Sequence, residues 1–448
     1  MTLDPADTAW ALCTTDAAPD DAILVESTTA AATHELVVRG LLAATDYSCE
    51  VHAGHGGEAT ASFRSGTVPD LPALEATTTG DGAMSGAYTL FNVQPSCTAE
   101  AVWLVIVDPD GHPRWAYRVG DQFEGDIDAA LTGPDRVHLG GGWGSQNEAS
   151  PNRGVFRDID LSGEVLVERD APDFGLGFNH HSEALPDGTY LGLTGHHDSD
   201  GVDTWYGVGV EQWSPTDGLV WSWDSQALVD AGLVAKDPYN PYPYNANSVK
   251  SVTDALGEAV WVSEFGDQAL WRIDRATREL TLRFGHGKDF ALVDPNGDPL
   301  PDSEFPYVQH DPDYQDDRVL VYDNAQGQPD GRGSRVAEYH LDLASQVATL
   351  LWSWTEPGWS DPVGGDADYL PNGNVLVTQT YVSCFAYGDD VSEIVEIEPP
   401  STVVWRMPLP DEGWMVYRSE RYDGCAAFSN ARYCPAVADR VAELSAGR

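Results

Sequence analysis

The sequence predicts an all-β protein in which a small β-sandwich over residues 1–75 precedes a six-bladed β-propeller over residues 76–448. Helical periodicity is almost absent after the first unit, where only residues 226–236 and the tail after Pro435 have a helical pattern. An acidic turn followed by a strand, often ending in tryptophan, recurs six times in this part of the chain. The first unit has short strands and cysteines at the spacing of a sandwich.

The first unit is centred on the run from His34 to Gly54, which predicts two alternating strands separated by a turn. Tyr47 lies two residues before Cys49, as in the tyrosine corner of immunoglobulin-like sandwiches, and Cys13 lies on an earlier strand. We therefore predict a disulfide between Cys13 and Cys49.

The same unit resembles fibronectin type III domains, with Gly40-Leu41 leading into Thr45 and Tyr47. The resemblance implies a spacer or binding module. Residues 68–74 contain two prolines and are predicted to be a linker, so we expect the first unit to be dispensable for chemistry.

The six copies of the turn and strand predict one four-stranded blade each, because each follows earlier candidate strands. The copies are DPDGHPRWAYRV (from Asp108), DLSGEVLVERD (from Asp160), SPTDGLVWSWD (from Ser214), DRATRELTLRFG (from Asp274), DLASQVATLLWSW (from Asp342) and EPPSTVVWRMPL (from Glu398). The first copy follows only two candidate strands. We expect the segment Trp414 to Tyr422 to supply the missing strand and to close the ring.

Polar residues stand just before several candidate inner strands, as in the stretch from Tyr307 to Asn324. Loops entering the inner strands of a propeller cluster at one mouth of its channel. We therefore expect seven side chains to converge there: His180, His181, Asn245, Asn247, His310, Asp366 and Asp368.

The composition excludes several classes of partner. The net charge of -48 repels phosphate backbones and anionic lipids, so we expect neither nucleic-acid nor membrane-surface binding. The longest apolar runs, such as Ala101 to Val107, have the length of a strand, so no membrane insertion is expected. The composition does not predict the oligomeric state.

The six cysteines are an even number without a CxxC pair, which indicates disulfides in an oxidising compartment. Besides the first pair, we predict Cys425 with Cys434 across a short loop and, by elimination, Cys97 with Cys384. The residues from Met1 to Asp4 have neither a basic start nor an apolar stretch. We expect a secreted or periplasmic protein whose export signal has been removed.

Five motifs between residues 110 and 410 resemble the arylsulfotransferase family of periplasmic or secreted six-bladed propellers. They are His180-His181 before Leu185-Pro186-Asp187-Gly188, Asn247-Ser248-Val249, Gln309-His310-Asp311 with Val321-Tyr322-Asp323-Asn324, Ser334-Arg335-Val336 before Glu338-Tyr339, and Leu370-Pro371-Asn372-Gly373-Asn374. The resemblance implies sulfuryl transfer between phenolic small molecules through a sulfated histidine, without a nucleotide sulfate donor and without a required cofactor.

The resemblance also assigns roles. The histidine of the Gln-His-Asp motif matches His310, which becomes the candidate nucleophile. His180 or His181 would protonate the leaving phenolate and later deprotonate the acceptor. The side chains proposed to stabilise charge on the sulfuryl oxygens are Asn247, Arg335 and Arg418.

Two positions depart from the family pattern. Asn245 stands where the family usually has the histidine of a His-x-Asn motif. Glu264 and Phe265 follow Ser263 where the family tends to have an arginine. An acid near a sulfuryl anion is unfavourable, and a missing guanidinium removes bidentate recognition of its oxygens.

Two other classes of function stay open. A zinc or other transition-metal site would make the protein a hydrolase or lyase; its candidate ligands are His180, His181, His197, His310 and Asp311. The acidic run from Asp294 to Glu304 is a candidate calcium loop, although it lacks the EF-hand glycine. The third hypothesis is a non-catalytic extracellular propeller that binds glycan or peptide through Trp143, Trp205 and Trp359.

Overall fold

The structure, a computed structural model, describes residues 2–68, 71–79, 83–95, 102–119, 127–141, 154–169, 173, 177–233, 245–328, 330–380, 391–410 and 413–446. Strands dominate these ranges, and the predicted all-β class is confirmed. The two α-helices of the described ranges are α1 (Gln226–Asp230) and α2 (Pro435–Ala446), with a 3-10 turn at Asp302–Glu304. None of the described helices has the length and apolar character needed to cross a bilayer.

The first sheet is antiparallel, and its strand order is β2-β1-β3-β4. Its strands are β1 (Thr2–Thr15), β2 (Ala18–Thr33), β3 (Asp46–Ala53) and β4 (Glu58–Arg64). The disulfide between Cys13 and Cys49 is present, as predicted. The two cysteines are cross-strand neighbours on β1 and β3, so this bond lies within one sheet and does not bridge two.

Tyr47 does form the hydrogen bond of a tyrosine corner, because its hydroxyl accepts the backbone N–H of Leu42 (2.9 Å). The immunoglobulin- or fibronectin-like sandwich and the domain boundary near residue 75 stay predictions. Cys425 and Cys434 are also bonded, as predicted. The pair predicted between Cys97 and Cys384 lies outside the described residues.

Within the described residues six further sheets follow, each built on an antiparallel meander. The first two of these sheets contain β6 (Tyr88–Pro95), β7 (Trp103–Val107) and β8 (Pro113–Arg118), and then β9 (Ile127–Gly133), β10 (Arg136–Gly141), β11 (Val155–Asp160) and β12 (Val165–Arg169). The next two contain β13 (Phe178–Ala184), β14 (Tyr190–Ser199), β15 (Thr204–Ser214) and β16 (Gly218–Asp224), and then β17 (Ala246–Asp254), β18 (Gly257–Glu264), β19 (Ala269–Asp274) and β20 (Leu280–Gly285). The last two contain β22 (His310–Gln315), β23 (Arg318–Asp323), β24 (Arg335–Asp342) and β25 (Val347–Trp354), with β21 (Ala291–Val293) parallel to β25, and then β26 (Asp366–Tyr369), β27 (Val375–Gln379), β28 (Glu393–Glu398) and β29 (Thr402–Pro408), with β5 (Thr77–Thr78) beside β29.

The recurring acidic turns each lead into the last strand of a meander, as the repeat predicts. These strands are β8, β12, β16, β20, β25 and β29. The chain also closes as expected from the segment Trp414 to Tyr422, because β30 (Trp414–Met415) and β31 (Ser419–Tyr422) both pair with β6.

The first strands of successive sheets contact one another in a cycle that runs through β9, β13, β17, β22, β26 with β27, and β31, and returns to β9. The side chains at the start of these strands are therefore brought together. A propeller requires such a cycle of inner strands, and both the propeller and its six blades stay predictions.

The first sheet is held to the rest of the chain by a buried ionic contact. Arg114 on β8 contacts Asp21 of the first unit (2.5 Å) and Asp108 (2.6 Å), and all three side chains are fully buried. The side-chain amide of Asn430 donates to the same Asp21. Leu74, within the predicted linker, packs in the core of the large unit. The first unit is thus anchored and is not a module on a free linker.

This contact predicts that Asp21→Ala destabilises the whole protein by about 2–3 kcal/mol, since it removes a buried charged acceptor from both Arg114 and Asn430. Urea unfolding followed by tryptophan fluorescence measures the change. Asp46→Ala is the control, because Asp46 pairs with Arg64 at the exposed surface and should change stability by at most about 1 kcal/mol. Equal losses in the two variants would support the free-linker interpretation.

Candidate functional site

Six residues from four strands and the segment before β31 form what we call the central cluster: Asp128, His181, Asn247, His310, Asp311 and Arg418. Arg418 connects most of its members. Its guanidinium lies 3.2 Å from both Asp128 and Asp311 and donates to the backbone oxygen of Asn247 (2.7 Å). The contact with Asp311 is an ion pair without hydrogen-bond alignment, since the Arg418 Nε–H points elsewhere. Five of the six predicted catalytic residues lie in or beside this cluster.

The first strands of three sheets are irregular where they carry the cluster. The pairing register shifts between Phe178 and Ser182 on β13, between Ala246 and Ser248 on β17, and between His310 and Asp313 on β22. These bulges contain His180-His181, Asn247 and Asp311. A bulge re-aims the side chains of a strand and is common next to active sites. His180 and Asp311 have positive φ angles, 48° and 24°, which non-glycine residues adopt rarely.

His310 is buried and both of its ring nitrogens are bonded. Its Nδ1 lies 2.7 Å from Asn324 Oδ1, and the backbone N–H of Gly364 donates to its Nε2 (3.1 Å). Phe265 packs edge-on against the imidazole, with the ring centres 5.8 Å apart. Gly365 is required here, because it has φ of 95° and a Cβ atom would overlap the ring of Tyr322.

His181 is held by two partners of a different kind. Its Nε2 lies 3.0 Å from Asp128, and its Nδ1 accepts the backbone N–H of Val249 (3.2 Å). The ring of the neighbouring His180 lies 6.5 Å from that of Tyr417, the residue before Arg418. Of the two adjacent histidines, His181 contacts Asp128 of the central cluster and His180 lies beside the cluster.

A Ser-His-Asp chain anchors β13. His138 bonds Asp158 (2.7 Å) through Nδ1 and Ser182 (2.9 Å) through Nε2. This resembles a catalytic triad, but the three residues are only 2%, 1% and 5% exposed. These hydrogen bonds therefore join β10, β11 and β13 inside the protein and fix the strand that carries His180 and His181.

Burial and neighbouring positive charges shift the pKa values of the cluster's carboxylates in opposite directions. Burial alone would raise the pKa of Asp311, but the charges of Arg418 and Lys250 hold it below its usual value. The pKa of Asp128 is lowered in the same way, by Arg418 and the hydrogen bond from His181 acting against burial. Both groups are therefore ionised at neutral pH.

Three further acids, on β26 and β31, have raised pKa values instead. Burial, together with the charge of Asp311, raises the pKa of Asp366 well above its usual value. Burial and the charges of Asp366 and Glu420 do the same for Asp368. Burial raises the pKa of Glu420 to about 8. The site thus combines two ionised carboxylates beside Arg418 with a group of carboxylates that retain protons.

Arg335 lies outside the central cluster. Its guanidinium donates to Asp323 (2.9 Å), Glu304 (2.6 Å) and the hydroxyl of Tyr339 (3.3 Å). It is on β24, the third strand of its meander, and supports the loop that precedes His310. We leave Arg335 out of the proposed site.

The residues at the family's departure positions have structural partners. The carboxylate of Glu264 accepts the backbone N–H groups of Asn245 and Asp267, so it ties a turn together instead of facing a ligand. Burial raises the pKa of Glu264 to about 8 despite these bonds. The expected repulsion between this acid and a bound anion is therefore weaker than the sequence suggests.

In the described ranges, the predicted metal ligands do not form a group of three close side chains. The group of three close His, Cys, Asp or Glu side chains there is Asp108, Asp110 and His112, none of which was a predicted ligand. Asp108 Oδ1 accepts the N–H groups of Asp110 and His112, so this group is a tight turn. The predicted ligand His197 is exposed and packs beside Tyr206.

The remaining binding hypotheses depend on loop residues. Trp359 is buried, and its indole N–H donates to Asp361 (2.8 Å), so it is a core residue and not part of a binding surface. Trp143 and the side chain of Trp205 lie outside the described residues. In the candidate calcium loop, Asp294 accepts the backbone N–H groups of Asn296 and Asp298.

Three contributors to the site were missed by the sequence reasoning. Asn324 bonds His310, Gly364 donates to it, and Asn92 accepts the backbone N–H groups of Tyr417 (2.9 Å) and Arg418 (3.2 Å). Asn324 is the last residue of a motif that resembles the family, and this motif could have indicated that Asn324 belongs to the site. Gly364-Gly365 and Asn92 gave no comparable signal.

Comparison with known proteins gives the family. No curated protein matches the chain. Among solved structures, Sqt1 of Saccharomyces cerevisiae is similar at 9% identity and a TM-score of 0.34, over 90% of this chain and 91% of that one. The GH43_1 enzyme of Xanthomonas citri is similar at 11% identity and a TM-score of 0.30, over 73% of this chain and 89% of that one. The family model of the arylsulfotransferases matches residues 77–418, which include every member of the central cluster. The chain belongs to the arylsulfotransferase (ASST) family.

Proposed function

We propose that the protein transfers a sulfuryl group from an aryl sulfate to a phenol through His310, without a nucleotide sulfate donor. The observation that carries the proposal is the geometry of this imidazole. Its Nε2 accepts a backbone N–H and so has a lone pair, and its two hydrogen-bond partners named above, Asn324 and Gly364, are neutral. Once the bond from Gly364 breaks, the lone pair of a neutral imidazole is a nucleophile at neutral pH.

In the first step the Nε2 lone pair attacks sulfur. A nitrogen–sulfur bond forms, the bond from sulfur to the aryl oxygen breaks, and the phenolate leaves with the electron pair. In the second step the oxygen of the acceptor phenol attacks the same sulfur, and the nitrogen–sulfur bond returns its electron pair to His310. The acceptor proton passes to a base.

Gly364 provides a donor for the transferring group. Its N–H now points at His310 Nε2. When the lone pair bonds to sulfur, this N–H loses its acceptor, and a sulfuryl oxygen on Nε2 comes within its reach. A backbone donor that is already in place needs little reorganisation during the reaction.

We propose that His180 or His181 makes the proton transfers. His181 is bonded to Asp128 and to the Val249 N–H, and the ring of His180 lies 6.5 Å from that of Tyr417, the residue before Arg418. Arg418 and Asn247 are also committed, since the Asn247 amide donates to the oxygen of Gln309 (2.7 Å). We propose that these two residues shape the charge and register of the site and do not touch the sulfuryl oxygens.

The two disulfides in the described residues and the family together indicate an extracellular or periplasmic protein. We propose secretion or a periplasmic location, where phenolic small molecules would be the substrates.

The proposed function is tested by incubating the protein briefly with 4-nitrophenyl sulfate and measuring its intact mass. We expect the protein to gain one sulfuryl group and to lose it when phenol is added, with phenyl sulfate as the product. Denatured protein is the control for non-specific sulfation. Neither a mass gain nor turnover with a panel of aryl sulfates would contradict the proposal.

A further inference from the structure

We infer that Asn324 is a positioning residue that fixes the tautomer of His310 and keeps a sulfated His310 reactive. This inference rests on the proposed function for its catalytic part. Its structural part concerns the proton on the ring and can be tested without any substrate.

The orientation of the Asn324 amide is determined by two backbone carbonyls. Its Nδ2 donates to the oxygens of Asp361 (2.9 Å) and Gly364 (2.8 Å). A carbonyl oxygen only accepts, so the atom facing these groups must be the NH₂ group. The amide oxygen is then the atom that lies 2.7 Å from His310 Nδ1. Since that oxygen can only accept, Nδ1 must be protonated.

A second contact leads independently to the same tautomer. The N–H of Gly364 needs an acceptor, and His310 Nε2 lies 3.1 Å from it. Nε2 must therefore have its lone pair and no proton. Gly364 thus takes part on both sides, with its oxygen bonded to Asn324 and its N–H bonded to His310. The three residues form a closed ring of hydrogen bonds.

The chemistry of the partner matters once the sulfuryl group is attached. With sulfur on Nε2 and a proton on Nδ1, the imidazole ring is positively charged. A carboxylate at Nδ1 would stabilise that positive ring and make it a poorer sulfuryl donor, whereas a neutral amide stabilises it much less. The same protein shows the contrast, because His181 is partnered by the carboxylate of Asp128.

The choice of an amide therefore serves both steps. It presents the Nε2 lone pair for attack, and it leaves the sulfated ring high enough in energy to pass the group on. A histidine paired with a carboxylate would be sulfated readily and would release the group slowly.

Asn324→Asp tests the inference, with Gln315→Glu as the matched control. Gln315 is exposed at the end of β22, where its amide oxygen accepts a hydrogen bond from Arg318 (2.7 Å), so the control makes the same amide-to-carboxylate change outside the network. We expect Asn324→Asp to slow transfer to phenol by about tenfold or more while sulfated protein accumulates. The acidic limb of the pH–rate profile should move to higher pH. Gln315→Glu should leave both properties unchanged.

The tautomer is measured directly by ¹⁵N NMR of histidine-labelled protein without substrate, with His310→Asn used to assign the signal. We expect the Nδ1–H form in the wild type and a mixture of forms in Asn324→Ala. An Nε2–H form in the wild type would overturn the inference, and so would equal kinetic changes in Asn324→Asp and Gln315→Glu. If the wild type transfers no sulfuryl group but has the Nδ1–H form, and Asn324→Ala loses it, the proposed function fails and the positioning role of Asn324 stands.

Discussion

His310→Asn is expected to lower the rate of sulfuryl transfer by at least about a thousandfold, because a covalent nucleophile contributes several kcal/mol and each 1.36 kcal/mol is tenfold in rate. Asparagine keeps a polar group in the space beside Asn324 and Gly364, but it cannot attack sulfur. The variant should also gain no mass on incubation with 4-nitrophenyl sulfate. Release of 4-nitrophenolate in the presence of phenol measures the rate.

His340→Asn is the control for this change. His340 is a partly exposed histidine that lies 3.1 Å from Asp317 on the surface, outside the central cluster. It should retain full activity. Residual transfer by His310→Asn at more than about a tenth of the wild-type rate would exclude His310 as the nucleophile.

Arg418→Leu is expected to destabilise the protein by about 3–5 kcal/mol at neutral pH, since it leaves Asp128 and Asp311 as buried carboxylates without their main counter-charge. Arg440→Leu is the control, because Arg440 pairs with Glu26 and Glu443 at the surface and should change stability by less than about 1 kcal/mol. Urea unfolding at several pH values measures both effects.

The pH dependence of the Arg418→Leu effect follows from the lowered pKa values of Asp128 and Asp311. In the wild type, these groups stabilise the fold above the pKa of the unfolded chain, and that contribution is lost as the pH falls toward the native pKa. Without the guanidinium, burial raises both pKa values, so the carboxylates take up protons in mild acid. The difference between wild type and variant should therefore shrink as the pH falls. A constant difference would mean that the loss comes from packing alone.

Much of the fold could be predicted because it depends on local patterns. The acidic turn before each last strand sets a hairpin, and six of these turns are visible in the sequence. The same kind of reasoning was wrong for residues 34–39, which alternate like a strand but form none. His34 there bonds Ser27 and the oxygen of Asp7 instead. Alternation of apolar and polar residues indicates which side chains are buried. A segment that lies along a surface without strand pairing can have this pattern, just as a strand does.

A site residue could be predicted where its own motif identified it, and not where its role depends on a contact with a distant residue. His310 stood out because it precedes a buried strand and matches a family motif. Arg335 matched a motif too, but its strand is the third of its meander and its partners are Asp323 and Glu304. The roles of Asn324 and Arg418 depend on partners from other sheets, such as Gly364 and Asp128, and no local pattern shows that two distant loops will meet.

The closing strand limits when the central cluster can form during folding. β6 begins at Tyr88 and pairs with β31 only at Ser419, and Arg418 immediately precedes that partner. Until the segment through Tyr422 has joined the fold, β6 has one open edge and Asp128 and Asp311 have no guanidinium between them. A folding intermediate without this segment therefore contains every histidine of the cluster but cannot complete it, and its open edge can pair with another chain.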